Sequence, residues 1–524
     1  MKTKLLILTF VCSFVSLDGL TLCNERVTNA TFSEHIAPIV FSKCASCHRP
    51  GQPGPFDLLT YDDVVEHSET IEAVVDVGYM PPWKASSPDV KYLHDRRLTD
   101  SEKDLIRRWN ELGNPIGQAE RIPALPSFPK DWQLGTPDLV VEMNGSFNIP
   151  ASGPDVYRTF VFPVNLPEDK WIKAIEIKSQ AQSTLHHALF FADPTKQARI
   201  EDGKNGVAGV SGMNFLFRGL MQSGGKIKRA ELGLGGYVPG TTPTVLPGDL
   251  ARPLRAGSDI VMQTHFHPSG KTETEHATLA LYFADEAPSR LITPIQLPPM
   301  FGRFAGIDIP AGEKNYTIQD EFTLPADAIA IGVNGHAHYI GKSMKMDAIL
   351  PTGKSITLMQ IDDWDLDWQD NYYFDGQIVL PAGTKIKAVI RYDNSASNPE
   401  NPFHPPQRIA WGRESTDEMG SIILSVIPKR YLDQDILDKA AQDHSRQRMN
   451  SGFAKSTQGR LWDAISRLDR NRDQILQKSE LPSRFAALNG LFQRLDANGD
   501  GELDLKELKS NQSILQSLLQ RRGN

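Results

Sequence analysis

The chain has 524 residues, too many for one hydrophobic core, so several domains are expected. Charged residues make up 23% and the apolar set 40%, the composition of an ordinary soluble globular protein. A net charge of −8 provides no basic stripe, which excludes nucleic acid as an expected partner.

Met1-Lys2-Thr3-Lys4 is a positive n-region, followed by an apolar run from Leu5 to Leu17 that falls short of the about 20 residues needed to span a bilayer. Residues 1–22 therefore read as a secretory signal peptide cut between Gly19 and Cys23, and the chain as an exported protein of the bacterial periplasm or exterior. A membrane anchor is the alternative. Lipid anchoring at Cys23 is a further one, disfavoured because Leu22 is bulkier than the small residue expected there. No later segment offers about 18 continuous apolar residues, so no transmembrane helix is expected in the mature chain. Of the four cysteines, Cys12 leaves with the signal and Cys44 and Cys47 belong to a motif, so ordinary burial rather than disulfides must hold the protein together.

Residues 25–118 read as short helices between Pro- and Gly-rich loops. Ser33 to Phe41 is amphipathic, and Tyr61 to Val77 repeats apolar residues at helical spacing. Leu98 to Leu112 carries a capping box, Thr99 with Glu102, and stops at Gly113. A Pro-rich linker covers 119–135. From 136 to 430 the texture changes. Runs such as Tyr157–Phe162, Trp171–Ile177 and Lys385–Tyr392 alternate apolar and polar residues between Pro, Gly and Asn turns. This predicts antiparallel β-sandwiches, with length for two, 136–287 and 288–430. Residues 431–524 turn helical, polar and rich in Asp, Gln and Arg.

Within the helical segment, Cys44-Ala45-Ser46-Cys47-His48 has the attachment pattern of covalent haem c: two thiols for the porphyrin vinyls and an adjacent histidine for the iron. A zinc clip would want a second ligand pair that the segment lacks, and a redox dithiol has no need of the histidine. Candidates for the sixth ligand are His67, Met80 and His94. Met80 is favoured because Gly78-Tyr79-Met80-Pro81-Pro82-Trp83 forms an irregular loop that can lie against a haem edge, and a thioether raises the potential. The segment resembles the α-helical cytochrome c domains fused to exported bacterial oxidoreductases.

The histidines of the β region cluster: His186-His187, His265 with His267, and His336 with His338. Residues two apart on a strand share a face, so each His-x-His can grip one ion from a rigid element. Adjacent His186 and His187 can do so only where the strand ends, bulges or twists. One such pair alone is as readily structural; three in one β region point to metal.

The 136–430 region resembles the copper type II, ascorbate-dependent monooxygenases, the family of peptidylglycine α-hydroxylating monooxygenase and dopamine β-monooxygenase. The resemblance implies two jelly-roll-like copper domains. His186, His187 and His265 would hold an electron-transfer copper, with Gln263 completing the family's Gln-x-His, and His336, His338 and Met419 would hold the oxygen-activating, catalytic copper. Taken alone, Met419 reads as core and Met344 and Met346 are nearer rivals; the Thr416-Asp417-Glu418-Met419 context selects it only through the resemblance. His267 stays open between a supporting role and ligation beside His265. The resemblance further implies two copper ions, dioxygen, a small organic C–H substrate and an external donor, an ascorbate-like reductant or redox protein. Where the peptide-amidating members carry Arg before the His-x-His, this chain has Asn334, and Ser421 and Ile423 replace their Asn and Tyr. A bidentate grip on a substrate carboxylate is therefore missing. The family's disulfides are missing too. A fused haem suggests that electrons reach copper by way of the cytochrome unit. The competing reading is a non-catalytic exported electron-transfer or metal-binding protein.

At the C-terminus, Asp496, Asn498, Asp500, Glu502, Asp504 and Glu507, with Gly501, fit the twelve-position EF-hand calcium loop. Asp469, Asn471, Asp473, Ile475, Gln477 and Glu480 repeat the ligand spacing, but Gln474 occupies the glycine position, so its turn is costlier. An α-helical EF-hand pair is expected.

Overall fold

Alternation of apolar and polar residues becomes sheet from Leu139 to Pro428 in the computed structural model. It describes residues 29–466, except 53, 130, 213–231, 239–240 and 242, together with 476–477, 496 and 502–503. The expected signal segment 1–22 and the expected loop ligands Asp469, Asn471, Asp473, Ile475, Glu480, Asn498, Asp500, Asp504 and Glu507 lie outside these residues.

Five strands carry or flank the histidines: β1 (Val156–Phe162), β2 (Leu185–Asp193), β3 (Asp259–Phe266), β4 (Ala328–Ala337) and β5 (Gly420–Pro428). In the first sandwich, β3 lies between β1 and β2 in a five-stranded sheet, with Gly233–Tyr237 on the far side of β2. The facing sheet has four strands, of which Lys170–Lys178 shows the expected alternation, burying Ile172, Ala174 and Glu176. Phe160, Phe162, Phe190, Ile260 and Met262 of one sheet pack on Ile172, Leu279 and Leu281 of the other. The second sandwich repeats the plan. There β4 pairs with β5 in one sheet, and Tyr316–Thr323, Lys385–Tyr392, Gly341–Ile349 and Ser355–Ile361 form the other. Its core joins Ala330, Val333 and Leu424 to Met344, Met346 and Ile390. The chain is thus mostly β-sheet, with few helices.

Helices α1 (Ala37–Lys43), α2 (Tyr61–Glu66), α3 (Ser68–Asp76) and α4 (Asp100–Glu111) gather around a small core of Phe32, Ile36, Val40, Ile71, Ile106 and Trp109. The expected capping box is formed: Glu102 N–H donates to Thr99 Oγ1 at 3.2 Å and Thr99 N–H to Glu102 Oε2 at 2.7 Å. Periodicity reads 61–77 as one helix, but the chain breaks at His67, whose ring stacks on Phe56 with centroids 3.8 Å apart.

Residues 83–97, read from sequence within the helical unit, form a strap along the second sandwich. Ser86 and Gln360 exchange backbone bonds at 2.8 and 2.9 Å, and Leu93 N–H donates to Tyr373 O at 2.8 Å. The strands it meets, Ser355–Ile361 and Asn371–Leu380, are the exposed edges of both sheets, where unpaired backbone groups need cover. Ala85 and Tyr92 enter the sandwich core. After β5, α5 (Gln434–Ser466) docks on the same sandwich, where Leu437 joins the core and His444 Nε2–H donates to buried Asp320 at 2.9 Å. Further on, Leu476 pairs antiparallel with Leu503, and Gln477 with Glu502.

Candidate metal centres

The strand bulge demanded by adjacent histidines is present: the register of β2 against β3 shifts between Leu185 and His187, and His187 then faces His265. Ligand atoms of His186, His187 and His265 lie within 4.8 Å of one another. The two Nδ1 atoms of His186 and His187 are 3.2 Å apart, close to the roughly 3.3 Å separating two nitrogens bound 2.0–2.1 Å from one tetrahedral ion. The opposite nitrogens are turned outward to carboxylates. His186 Nε2–H donates to Asp367 Oδ1 at 2.8 Å and His265 Nε2–H to Asp155 Oδ2 at 2.8 Å. Such carboxylate partners fix the tautomer that leaves Nδ1 free for a metal. Burial holds His265 and His187 below the usual imidazole range, and neighbouring imidazoles lower His187 further. Neutral rings are what a cation requires. Asp155 also accepts from His267 Nδ1–H at 2.8 Å and from Ser415 Oγ–H at 2.7 Å. Burial opposes its charge, but the His265 and Ser415 bonds outweigh that and keep the carboxyl below its ordinary range. His267 lies outside the trio and serves Asp155.

The second group uses the other ring nitrogen. His336 Nδ1–H donates to Gln369 Oε1 at 2.5 Å and His338 Nδ1–H to the Asp417 carbonyl at 3.3 Å, leaving both Nε2 atoms to bind. Burial pushes His336 down to about 4 and His338 down to about 3. Along β4, Val333, Gly335 and Ala337 face the core while Asn334 and His336 alternate outward. Met344 and Met346 lie on the core side, 1% and 0% exposed. A Cβ added to Gly335 would meet Met344 Sδ at 2.5 Å, which puts that sulfur behind the strand from His336. Met419, half-buried, precedes Gly420, which pairs with Ala337, so it lies abreast of His338 on the neighbouring strand. Beneath it the fully buried Glu418 accepts from His338 N–H at 2.6 Å and Met419 N–H at 2.8 Å, and burial pushes its carboxyl up to about 8. Phe301, held at φ +53°, presents its ring to His336 at 5.1 Å, and its carbonyl accepts from Trp411 Nε1–H at 3.0 Å. Backbone strain of this kind concentrates at functional sites.

The two groups face each other across the sandwich interface. Tyr157 Oη of the first sandwich lies 3.1 Å from Ser415 Oγ of the second, Asp367 of the second reaches His186 of the first, and His336 and His338 lie near enough to His187 to disfavour its protonation. On another side, Leu246 and Leu250 pack with Ile292, Ile329 and Ile427 in a shared apolar cluster.

In the helical unit, the Cys44–His48 turn closes the end of α1, with His48 N–H donating to Cys44 O at 3.0 Å. No disulfide joins Cys44 and Cys47, and burial pushes the Cys44 thiol up to about 12. His48 Nδ1–H donates to Phe56 O at 3.0 Å, leaving Nε2 as the nitrogen open to a ligand. This fits an iron-binding histidine. His67 is occupied with Phe56, and Met80, half-buried, donates its N–H to Val74 O at 3.1 Å. A cleft of about 280 Å³ opens where the units meet, lined by Lys43, Ser46, His94, Arg96, Thr244 and Asp370 among others.

Sequence reasoning missed Asp155, Asp367, Gln369, Glu418 and Phe301. A visible signal existed for two: Asp362 to Asp370 is unusually dense in aspartate and tryptophan. No family model matches the chain, and no curated protein matches it. Similar solved structures include the major capsid protein P2 of bacteriophage PM2, 10% identical, TM-score 0.24, covering 55% of this chain and 97% of that one. PNGase F, a glycosylasparaginase from Flavobacterium meningosepticum, is 11% identical, TM-score 0.20, covering 55% and 97%. The VP2 subviral particle of infectious bursal disease virus is 9% identical, TM-score 0.17, covering 58% and 74%. Likeness this low carries no argument about chemistry. Among the described residues, no helix is long and apolar enough to cross a membrane.

Proposed function

We propose that this chain is an exported copper-dependent monooxygenase that hydroxylates a C–H bond of a small organic substrate with O2, fed with electrons through haem c on its helical unit. The observation that carries the reading is the opposite use of ring nitrogens in two facing groups. His186 and His187 bring Nδ1 atoms together while carboxylates hold the Nε2–H groups of His186 and His265. His336 and His338 spend Nδ1–H outward and keep Nε2. Two centres with different ligand geometry suit two different tasks. His186, His187 and His265 would hold the electron-transfer ion, and His336, His338 and Met419 the catalytic one, whose thioether favours the reduced metal. Copper, when bound, supplies the one-electron and oxygen chemistry. The residues orient it, exclude water and keep their imidazoles neutral. Cys44, Cys47 and His48 would attach the haem, with Met80 the favoured sixth ligand and an ascorbate-like reductant or redox protein as donor. Counting Asp469 and Asp496 as first positions, Leu476 and Leu503 are equivalent loop positions, and their pairing supports a paired EF-hand tail that binds calcium.

One observation favours the alternative of a non-catalytic electron-transfer protein: the Asp367–His186 and Tyr157–Ser415 contacts narrow the space a substrate would need. The deciding experiment is metal analysis and EPR of the purified holo-protein, followed by oxygen uptake with ascorbate and a panel of aromatic and aliphatic substrates. The reading expects two type II coppers and copper-dependent uptake that Met419→Ala abolishes. Two coppers without uptake on any substrate would favour the alternative.

A further inference from the structure

We infer that Asp367, Trp368 and Gln369 form a connector through which the helical unit passes electrons to both histidine centres, with Trp368 as its aromatic step. The inference rests on the reading above and adds a route to it. Three consecutive residues touch three different units. Asp367 Oδ1 accepts from His186 of the first sandwich at 2.8 Å. Gln369 Oε1 accepts from His336 of the second at 2.5 Å. Between them, the Trp368 ring meets Tyr79 edge to face, centroids 6.5 Å apart at 72°, and Tyr79 adjoins Met80 in the helical unit. A path from Tyr79 to either centre therefore exists through one aromatic ring, a few covalent bonds and one hydrogen bond.

A surface loop would ordinarily be among the more mobile parts of a protein. This one is pinned on both sides, by Lys84 to Asp365 at 3.3 Å and by Arg96 to Asp370 at 3.1 Å. Gln369 is braced by its Nε2–H donating to Leu366 O at 2.9 Å. The indole N–H of Trp368 is buried and meets no acceptor among the described residues, an arrangement that costs stability. Packing alone would be better served by Phe or Leu. Asp367 and Gln369 are positioning residues: each orients one histidine through the ring nitrogen that does not face the metal. The step itself is simple. One electron leaves ferrous haem and reaches cupric copper, so iron goes from Fe(II) to Fe(III) and copper from Cu(II) to Cu(I), with no bond broken and no proton moved.

The test uses the full chain with haem and both coppers, without oxygen or substrate. Haem is reduced by a flash, and its reoxidation is followed by absorbance while the Cu(II) EPR signal is measured. Trp368→Leu should slow reoxidation severalfold, Trp368→Phe should stay near wild type, and haem potential and copper content should hold in both. Should Trp368→Leu fold poorly, Tyr79→Leu gives the same readout at a position 50% exposed. Asp367→Ala should alter the EPR spectrum of the first copper alone, and Gln369→Ala that of the second alone. Wild-type transfer left unchanged by both Trp368→Leu and Tyr79→Leu overturns the connector and spares the monooxygenase reading. Wild-type protein that binds both metals but passes no electron from haem to copper removes the haem supply and the connector together.

Discussion

Replacing Glu418 tests whether the second histidine centre is built from below by hydrogen bonds. The carboxyl is fully buried and accepts through Oε1 from His338 N–H at 2.6 Å and Met419 N–H at 2.8 Å. Glu418→Ala strands two buried donors at about 1–3 kcal/mol each. Because the two are neighbours and do not add fully, the expected loss is about 2–4 kcal/mol. Glu418→Gln keeps an acceptor oxygen in place. Burial pushes the native carboxyl up to about 8, so the amide replaces a group that is neutral at pH 7, and the cost should stay within about 1 kcal/mol. Urea unfolding of metal-free protein, followed through the tryptophans of the second sandwich, measures both variants, with amide exchange at His338 and Met419 as the local readout. Copper affinity at that centre should fall about 10–100-fold in Glu418→Ala, as for other lost partners of metal ligands. An alanine variant within about 1 kcal/mol of wild type, or a glutamine variant as damaged as alanine, would refute the acceptor role.

Asp155→Asn takes away the charge that His265 and His267 share, so copper affinity at the first centre should drop about 10–100-fold while the second is untouched, as read by chelator competition. Gly54→Ala would place a methyl 2.6 Å from Cys47 O and 2.9 Å from His48 Cα, backbone atoms that cannot step aside. Destabilisation of about 1–3 kcal/mol and less covalent haem in purified protein are expected, and normal haem content would count against it. Burial pushes buried Glu275 up, so its contribution to stability is complete below the ordinary carboxylate range and is lost as pH rises from about 4.3 through the folded value. Glu275→Gln should therefore gain on wild type as pH rises above the ordinary carboxylate range; parallel urea midpoints would sink this.

What could be read from the sequence was local. Tyr157–Phe162, Trp171–Ile177 and Lys385–Tyr392 are all strands; the last two present one face to a core, as alternation predicts, whereas the first is buried from Arg158 onward. The capping box at Thr99 formed for the same reason: its partners are three residues apart. Adjacent His186 and His187 even announced the bulge they needed. Against this, β3 is buried along its whole length and shows no alternation; only its histidines marked it. The strap escaped because Ser86 pairs with Gln360, and nothing in residues 83–97 states what lies across from them. Asp155, Asp367 and Gln369 escaped for a related reason, since a carboxylate or amide that orients a histidine from another strand leaves no spacing to recognise.

Under the proposed haem-to-copper relay, the strap would also bear on how electrons are delivered. If the helical unit hung only from the Pro-rich stretch 119–135, it would sample many positions, and transfer would depend on chance approach. Instead the chain leaves α3, crosses both edges of the second sandwich through Ser86 and Leu93, and returns to begin α4. A unit held by chain running out and back cannot swing away without exposing Ala85 and Tyr92, which sit in the sandwich core, and breaking the backbone bonds that cover two sheet edges. The distance between the Cys44–His48 turn and the histidine centres is therefore set by folding rather than by diffusion. A donor that reduces the helical unit anywhere on its exposed side would deliver its electron at the same internal rate.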